Sequence, residues 1–416
     1  MIAVPVRAGL SEVRYEIRGE LARRARALEA DGREIIRLNI GNPGAFGFRA
    51  PEHLERAVAS RVVESEPYGP QAGLPAAREA VAAHHRATRG LLIEAADVFI
   101  GNGVSELIDL TLRALLNPGD EVLVPSPDYP LWTAATVLNG GVPRHYPCRA
   151  AHGFLPDVEA LEALVGPRTR ALVLINPNNP TGAVYPRTLL EALAAVARRH
   201  ELLLLSDEIY DGILYDEAEF QPMAPLTGDH PCVSFGGLSK VHRACGWRVG
   251  WAVLTGAQDR LEAYRHALDL LSALRLCANQ PGQFAVEAAL EGPDTIAALC
   301  APGGRLAAAR GVVVERCRAS PHLELSAPAG AMYAFPRVVG PAAAGFDDHQ
   351  FALELLETEG VLLAPGSSFN HPGRDHFRLT LLPPPEVLDE VFTRIDRVLD
   401  RRAGAGARAV RTRQIA

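Results

Sequence analysis

The chain has 416 residues, a formal net charge of -7, 48% hydrophobic residues and 22% charged residues. Those values exclude a mostly disordered chain, and the length asks for a large domain with a smaller companion rather than one small core. With no long basic stretch before the last few residues, the charge balance argues against nucleic acid as a partner and for small-molecule substrates.

In chain order, the opening MIAVPVRAGLSEVRYEIRGE has no long apolar run beside a cleavage site, and the apolar string Leu202–Leu205 is too short to cross a bilayer. No targeting segment or membrane span is expected. Residues 1 to about 45 are expected to pack on the second domain rather than on the main sheet. From about 95 to 255, short apolar strands alternate with amphipathic helices, the pattern of an open, mostly parallel sheet covered on both faces. The strands are DVFIG (97–101), EVLVP (121–125), RALVLIN (170–176), LLLLSD (202–207), CVSFG (232–236) and VGWAVL (249–254). Val104–Leu116 and Pro186–Arg199 are helical, with Leu and Ala recurring every three and four residues. A long helical stretch runs from Gln258 toward Leu290. Beyond it, helices alternate with strands at 331–336, 361–364 and 376–381, which defines a second α/β domain. The expected division is therefore an N-terminal segment 1–45, a large domain 46–295, a small domain 296–402 and a disordered tail 403–416. The six cysteines, at 148, 232, 245, 277, 300 and 317, form neither a CxxC pair nor a secreted disulfide scaffold, which suits a reducing, cytoplasmic compartment.

Five motifs carry chemistry. GNGVSEL (101–107) ends a strand and starts a helix, so backbone N–H groups of Gly103 and Val104 can point at an anion. PDYPLW (127–132) offers Tyr129 as an aromatic platform. NPNNPTG (176–182) follows a strand, where loops line the ligand crevice of such sheets, and places Asn179 to donate to a phenolate oxygen. SDEIY (206–210) offers a carboxylate at Asp207 and a phenol at Tyr210. In GLSKVHRACGWRVGW, Lys240 follows a strand end and Arg248 lies eight residues on, beside Gly246 and Gly250. A lysine amine forms a Schiff base with an aldehyde cofactor, and a guanidinium grips its phosphate. That pairing suits pyridoxal 5′-phosphate, with a carboxylate such as Asp207 keeping the pyridine nitrogen protonated.

Together, in this order, the motifs resemble class I and II pyridoxal-phosphate aminotransferases of fold type I over nearly the whole chain. In RYEIRG, LNIGNPGAFGF, IGNGVSELI, LVPSPDYPLWTAA, INPNNPTGAVY, DEIYDGILYD and PGGRL the sequence is similar to bacterial glutamate–pyruvate aminotransferases. The resemblance implies an aspartate aminotransferase-like α/β fold with a mostly parallel seven-stranded sheet. It implies Lys240 as the Schiff-base and proton-shuttling lysine, Asp207 on the pyridine nitrogen, Tyr210 and Asn179 on the phenolate oxygen, and Arg248 on the phosphate. Tyr129 would stack on the ring. In HFRLT, Arg378 would clamp the substrate α-carboxylate, assisted by the backbone of Gly41 and the side chain of Asn179, since a guanidinium matches a carboxylate bidentately. Tyr68 in PYGPQAG would reach the phosphate of a neighbouring subunit, which implies a homodimer with composite sites.

One departure stands out: many members place a phosphate-binding serine three residues before the lysine, where this chain has Gly237. The cradle would then rely on Asn102, Ser239, Tyr68 and backbone groups. The resemblance further implies transfer of an amino group between alanine and pyruvate, and glutamate and 2-oxoglutarate, with Arg275 or Arg18 meeting the distal carboxylate. The alternatives are a transaminase for branched-chain or aromatic amino acids, or another enzyme using the same cofactor. No metal ligand set is expected.

Overall fold

The computed structural model describes residues 4–13 and 19–415, with side chains described to residue 404 except that of Glu12. Arg18, and with it most of the RYEIRG segment, lies outside the described residues. The first strand, β1 (Ile36–Arg37), belongs to the small domain; seven more follow in the large one. They are β2 (Val98–Gly101), β3 (Glu121–Ser126), β4 (Val142–Pro147), β5 (Thr169–Ile175), β6 (Leu203–Asp207), β7 (Cys232–Gly237) and β8 (Gly250–Thr255). They form one sheet in the order β2-β8-β7-β6-β5-β3-β4, with β8 antiparallel to both neighbours and every other pairing parallel. Helices cover both faces, so β6 and β8 are buried at every position and read as unbroken apolar runs. The edge strand β4, VPRHYP, is not among the strands expected from the sequence. Two prolines interrupt its pattern, and of its six residues only Tyr146 is buried, which a strand with one neighbour tolerates.

The small domain holds β9 (Leu323–Glu324), β10 (Tyr333–Ala334), β11 (Arg337–Val338), β12 (Val361–Leu362), β13 (Ala364–Pro365) and β14 (Phe377–Thr380). β10, β14 and β13 make an antiparallel sheet, and β12 pairs in parallel with β1. Its core joins Leu306, Val313, Phe351, Leu355 and Phe392 with Leu21, Ala25 and Leu28 of the helix Glu20–Ala30. That helix and β1 lie on the small domain. The turn Ala8–Glu12 instead sits against the large-domain helix Leu131–Leu138, where Arg7 donates to the Leu138 carbonyl.

One further expectation is corrected. The helical stretch after Gln258 ends at Leu274, where Leu276 turns into the left-handed region at φ 70°, and resumes with Pro281 opening a 3-10 turn that leads into Val286–Glu291. The final helix runs from Pro385 to Ile415. Ala and Arg toward its end are strong helix formers even without an apolar face. Ala297–Ala319 is apolar enough by composition to span a membrane, yet a turn at 301–304 breaks it and Leu306, Ala309, Val313 and Cys317 are buried in the small-domain core.

Candidate active site

The loops that follow β2, β3, β5, β6 and β7 open onto one rim of the sheet, where the C-terminal ends of parallel strands leave a crevice. The small domain closes it with β10 and β14. The resulting cavity, of about 610 Å³, is lined by Tyr129, Asn179, Asp207, Tyr210, Ser239, Lys240 and Arg248 from the large domain and by Gly41, Tyr333 and Arg378 from the other side. The motif residues, scattered over some 340 positions of sequence, are thus brought together.

Lys240 lies just beyond β7, and its Nζ donates to the Gly41 carbonyl at 2.7 Å. Arg248 sits in the left-handed region at φ 55°, its guanidinium donating to the carbonyls of Cys245 at 2.9 Å and Asn102 at 3.2 Å. A Cβ on Gly103 would come within 2.2 Å of Arg248 Nη2, and one on Gly250 within 2.5 Å of the Val104 nitrogen. These two glycines let the guanidinium lie flush on the N-terminus of Val104–Leu115, making a cradle of positive charge and free N–H groups suited to a phosphate. The absent serine at 237 has a structural cause. A Cβ there already meets the Val249 carbonyl at 2.7 Å. Ser105, on the first turn of that helix, lines the cavity and supplies a hydroxyl that sequence reasoning missed.

Asp207 ends β6, and burial pushes its carboxyl up to about 6, against the pull of the Trp132 Nε1–H bond at 3.2 Å and of Lys240. A buried carboxylate held above its ordinary range is poised to face a cationic ring nitrogen. Tyr210 is held protonated, first of all by burial. Its hydroxyl lies 3.1 Å from that of Tyr333.

Arg378, on β14, is almost fully buried. Its Nη1 donates to Asn179 Oδ1 at 2.9 Å and its Nη2 to the Asn39 carbonyl at 2.5 Å. Its guanidinium carbon lies 4.2 Å from the Tyr333 ring centroid and 4.5 Å from that of Phe369. A planar cation stacked on two rings and bonded to neutral oxygens is arranged to receive a carboxylate.

Asn102 and Arg275 are placed differently from the expectation. Asn102 does not line the cavity: its amide donates to Glu106 at 3.0 Å and its Oδ1 accepts the Asn279 N–H at 2.8 Å, so it braces the neighbouring loop. Tyr68 is 81% exposed and stands outside the cavity of its own chain. Arg275 also lies outside, engaged with Glu106 at 3.3 Å and the Ile100 carbonyl at 2.9 Å. Tyr333 was not foreseen, because GAMYAF carries no chemical signature until β10 brings it against Gly41 and Arg378. Among the described residues, His371, Asp375 and His376 are grouped closely enough to hold an ion, but Asp375 is already bound by Arg337 at 2.8 Å.

This arrangement of an interdomain lysine, a phosphate cradle and a buried carboxylate goes with the sequence comparison: residues 33–395 match the model for aminotransferases of class I and II, and the chain belongs to that family. Among its relatives, the alanine aminotransferase of Mycobacterium tuberculosis is 46% identical over 377 residues, covering 90% of this chain and 88% of the relative. The glutamate-pyruvate aminotransferase AlaA of Escherichia coli is 43% identical, over 94% of this chain and 96% of the relative. An Escherichia coli aminotransferase structure superposes with a TM-score of 0.93 at 42% identity, covering 96% of this chain and 99% of that one. The alanine aminotransferase of Pyrococcus furiosus gives 0.90 at 36% identity, covering 95% and 100%.

Proposed function

We propose that the protein is a pyridoxal-phosphate-dependent alanine transaminase, moving the amino group between L-alanine and pyruvate and between L-glutamate and 2-oxoglutarate. One observation carries this reading. Lys240, Asp207, the Arg248 cradle and the stacked Arg378 converge on one cavity. The names of the relatives support the choice of alanine and glutamate.

When bound, pyridoxal phosphate supplies an aldehyde and a conjugated ring that takes up the electron pair left as the substrate loses its α-proton. Arg248, Ser239, Ser105 and the helix N-terminus hold its phosphate. Asp207 keeps the ring nitrogen protonated, Tyr210 and Asn179 donate to the phenolate oxygen, and Tyr129 packs on the ring. Arg378 orients the amino acid by its α-carboxylate. Lys240 then takes and returns the α-proton, since its amine is held beside the reacting carbon rather than recruited from solvent.

We further infer a cytoplasmic homodimer. Tyr68 is carried on a loop tied to the helix Gln258–Leu274 by the bond from Gln71 to Asp269, at 3.2 Å. Leu270 and Leu274 of that helix are exposed with Tyr68, an apolar face suited to a second copy.

The test is spectroscopic. The purified protein should absorb in the visible through its lysine-linked cofactor, and L-alanine should convert that band to the pyridoxamine form with release of one pyruvate. In Lys240→Ala the conversion should be lost even where cofactor remains bound; retained turnover would remove Lys240 from the mechanism. A cofactor band that responds to other amino acids but not to alanine would discard the substrate while keeping the family.

A further inference from the structure

We propose that Tyr333 is a positioning residue for the reaction, its hydroxyl orienting Tyr210 and its ring supporting Arg378. The inference rests on the cofactor reading above. Tyr333 lies on β10 of the small domain, Tyr210 on the large-domain loop after β6, and both line the cavity. Their hydroxyl oxygens are 3.1 Å apart and their rings meet edge to face. Each hydroxyl has a single proton. If Tyr210 donates its own toward the cofactor's phenolate oxygen, its oxygen can only accept from Tyr333. Tyr333 is therefore the donor of the pair, and its donation makes the Tyr210 proton a stronger hydrogen-bond donor in turn.

The backbone is built around this hydroxyl. A Cβ at position 41 would come within 2.0 Å of Tyr333 Oη, so only glycine leaves room for it. The same Gly41 accepts the Lys240 amine through its carbonyl at 2.7 Å. On its other side the Tyr333 ring lies 4.2 Å from the Arg378 guanidinium. One buried tyrosine thus touches the residue facing the phenolate, the residue facing the substrate carboxylate and the backbone that holds the lysine.

The two roles separate in two variants of the holoenzyme. Tyr333→Phe keeps the ring and removes the hydroxyl. Weakening Tyr210 leaves more charge on the phenolate oxygen, which holds the proton of the neighbouring lysine–cofactor nitrogen more tightly. The pH midpoint of the cofactor's absorbance should therefore rise by about half a unit to one unit, the size of one hydrogen bond. The KM for L-alanine should stay within about twofold, because the face beneath Arg378 is intact. Tyr333→Leu removes both and should also raise that KM by about tenfold. An unchanged midpoint in Tyr333→Phe overturns the proposal, as does a KM in Tyr333→Leu equal to that of Tyr333→Phe. A wild-type holoenzyme lacking any cofactor absorbance overturns instead the reading on which the proposal rests.

Discussion

Asp207 concentrates the electrostatics of the site. Its carboxyl is surrounded by β6, β7 and the Trp132 indole, and burial alone would favour its neutral form. A protonated ring nitrogen opposite it would restore the charged form, since an opposite charge at close range lowers a carboxylate's pKa. Asp207→Asn keeps shape and the hydrogen bond while removing that partner. Its cofactor should still bind through the Arg248 cradle, but the amino-acid half-reaction, followed in a single turnover, should slow by about a hundredfold or more. A rate near that of the wild type would show that the ring works without a protonated nitrogen.

The segment after β3 shows how an element can serve two domains. Ser126 and Asp128 reach across to the small domain: Asp128 N–H donates to the Phe369 carbonyl at 2.9 Å, Ser126 Oγ to the Asn370 carbonyl at 2.8 Å, and Asn370 Nδ2 to Asp128 Oδ1 at 2.8 Å. Tyr129 of the cavity is the next residue, and Phe369 is one of the rings beneath Arg378. Asp128 is wholly buried, and burial pushes its carboxyl up to about 7, although Thr133 and Asn370 donate to it. Above the ordinary 3.8 and below about 7, the folded state keeps a proton that the unfolded chain has released. This contribution to stability is therefore full at low pH and is lost as pH rises through the folded value. Asp128→Asn, which cannot ionise, should gain thermal stability relative to the wild type as pH is raised from about 5 to about 8. Parallel melting curves across that range would contradict the shift.

Much of this was legible in the sequence, for physical reasons. Strands β3, β5, β6, β7 and β8 announce themselves because apolar residues follow one another where both faces are covered. Lys240, Arg248, Asp207, Asn179 and Arg378 sit at strand ends or on a strand, in motifs whose chemistry is local. What escaped depends on distant pairings. The strand β4 has prolines and one neighbour. Asn102 sits beside the cradle yet is turned away by Asn279, far along the chain. Tyr333 gains its meaning only from Gly41 and Tyr210.

At the scale of the whole molecule, the proposed homodimer would make the site the property of a pair of chains. If Tyr68 completes the partner's cradle, dimers mixing Lys240→Ala chains with Tyr68→Ala chains hold one site with both residues intact. Mixing the two impaired variants, after dissociation and reassociation, should restore activity above that of either parent, toward half that of the wild type in each mixed dimer. No restoration would place Tyr68 in service of its own chain or of none.

The distribution of the site along the chain carries a consequence for synthesis. In the proposed site, every cofactor-facing group contributed within one chain, Tyr68 apart, falls between Gly103 and Arg248, on the large domain. Arg378 sits near the C-terminal end, and it is held by Asn39 from the N-terminal segment, Asn179 from the middle and Tyr333 from the small domain. A chain emerging from the ribosome therefore presents its own part of the proposed cofactor cradle well before the proposed substrate clamp. Within one chain, the proposed grip on an amino acid forms only when the first and last parts of the chain have met.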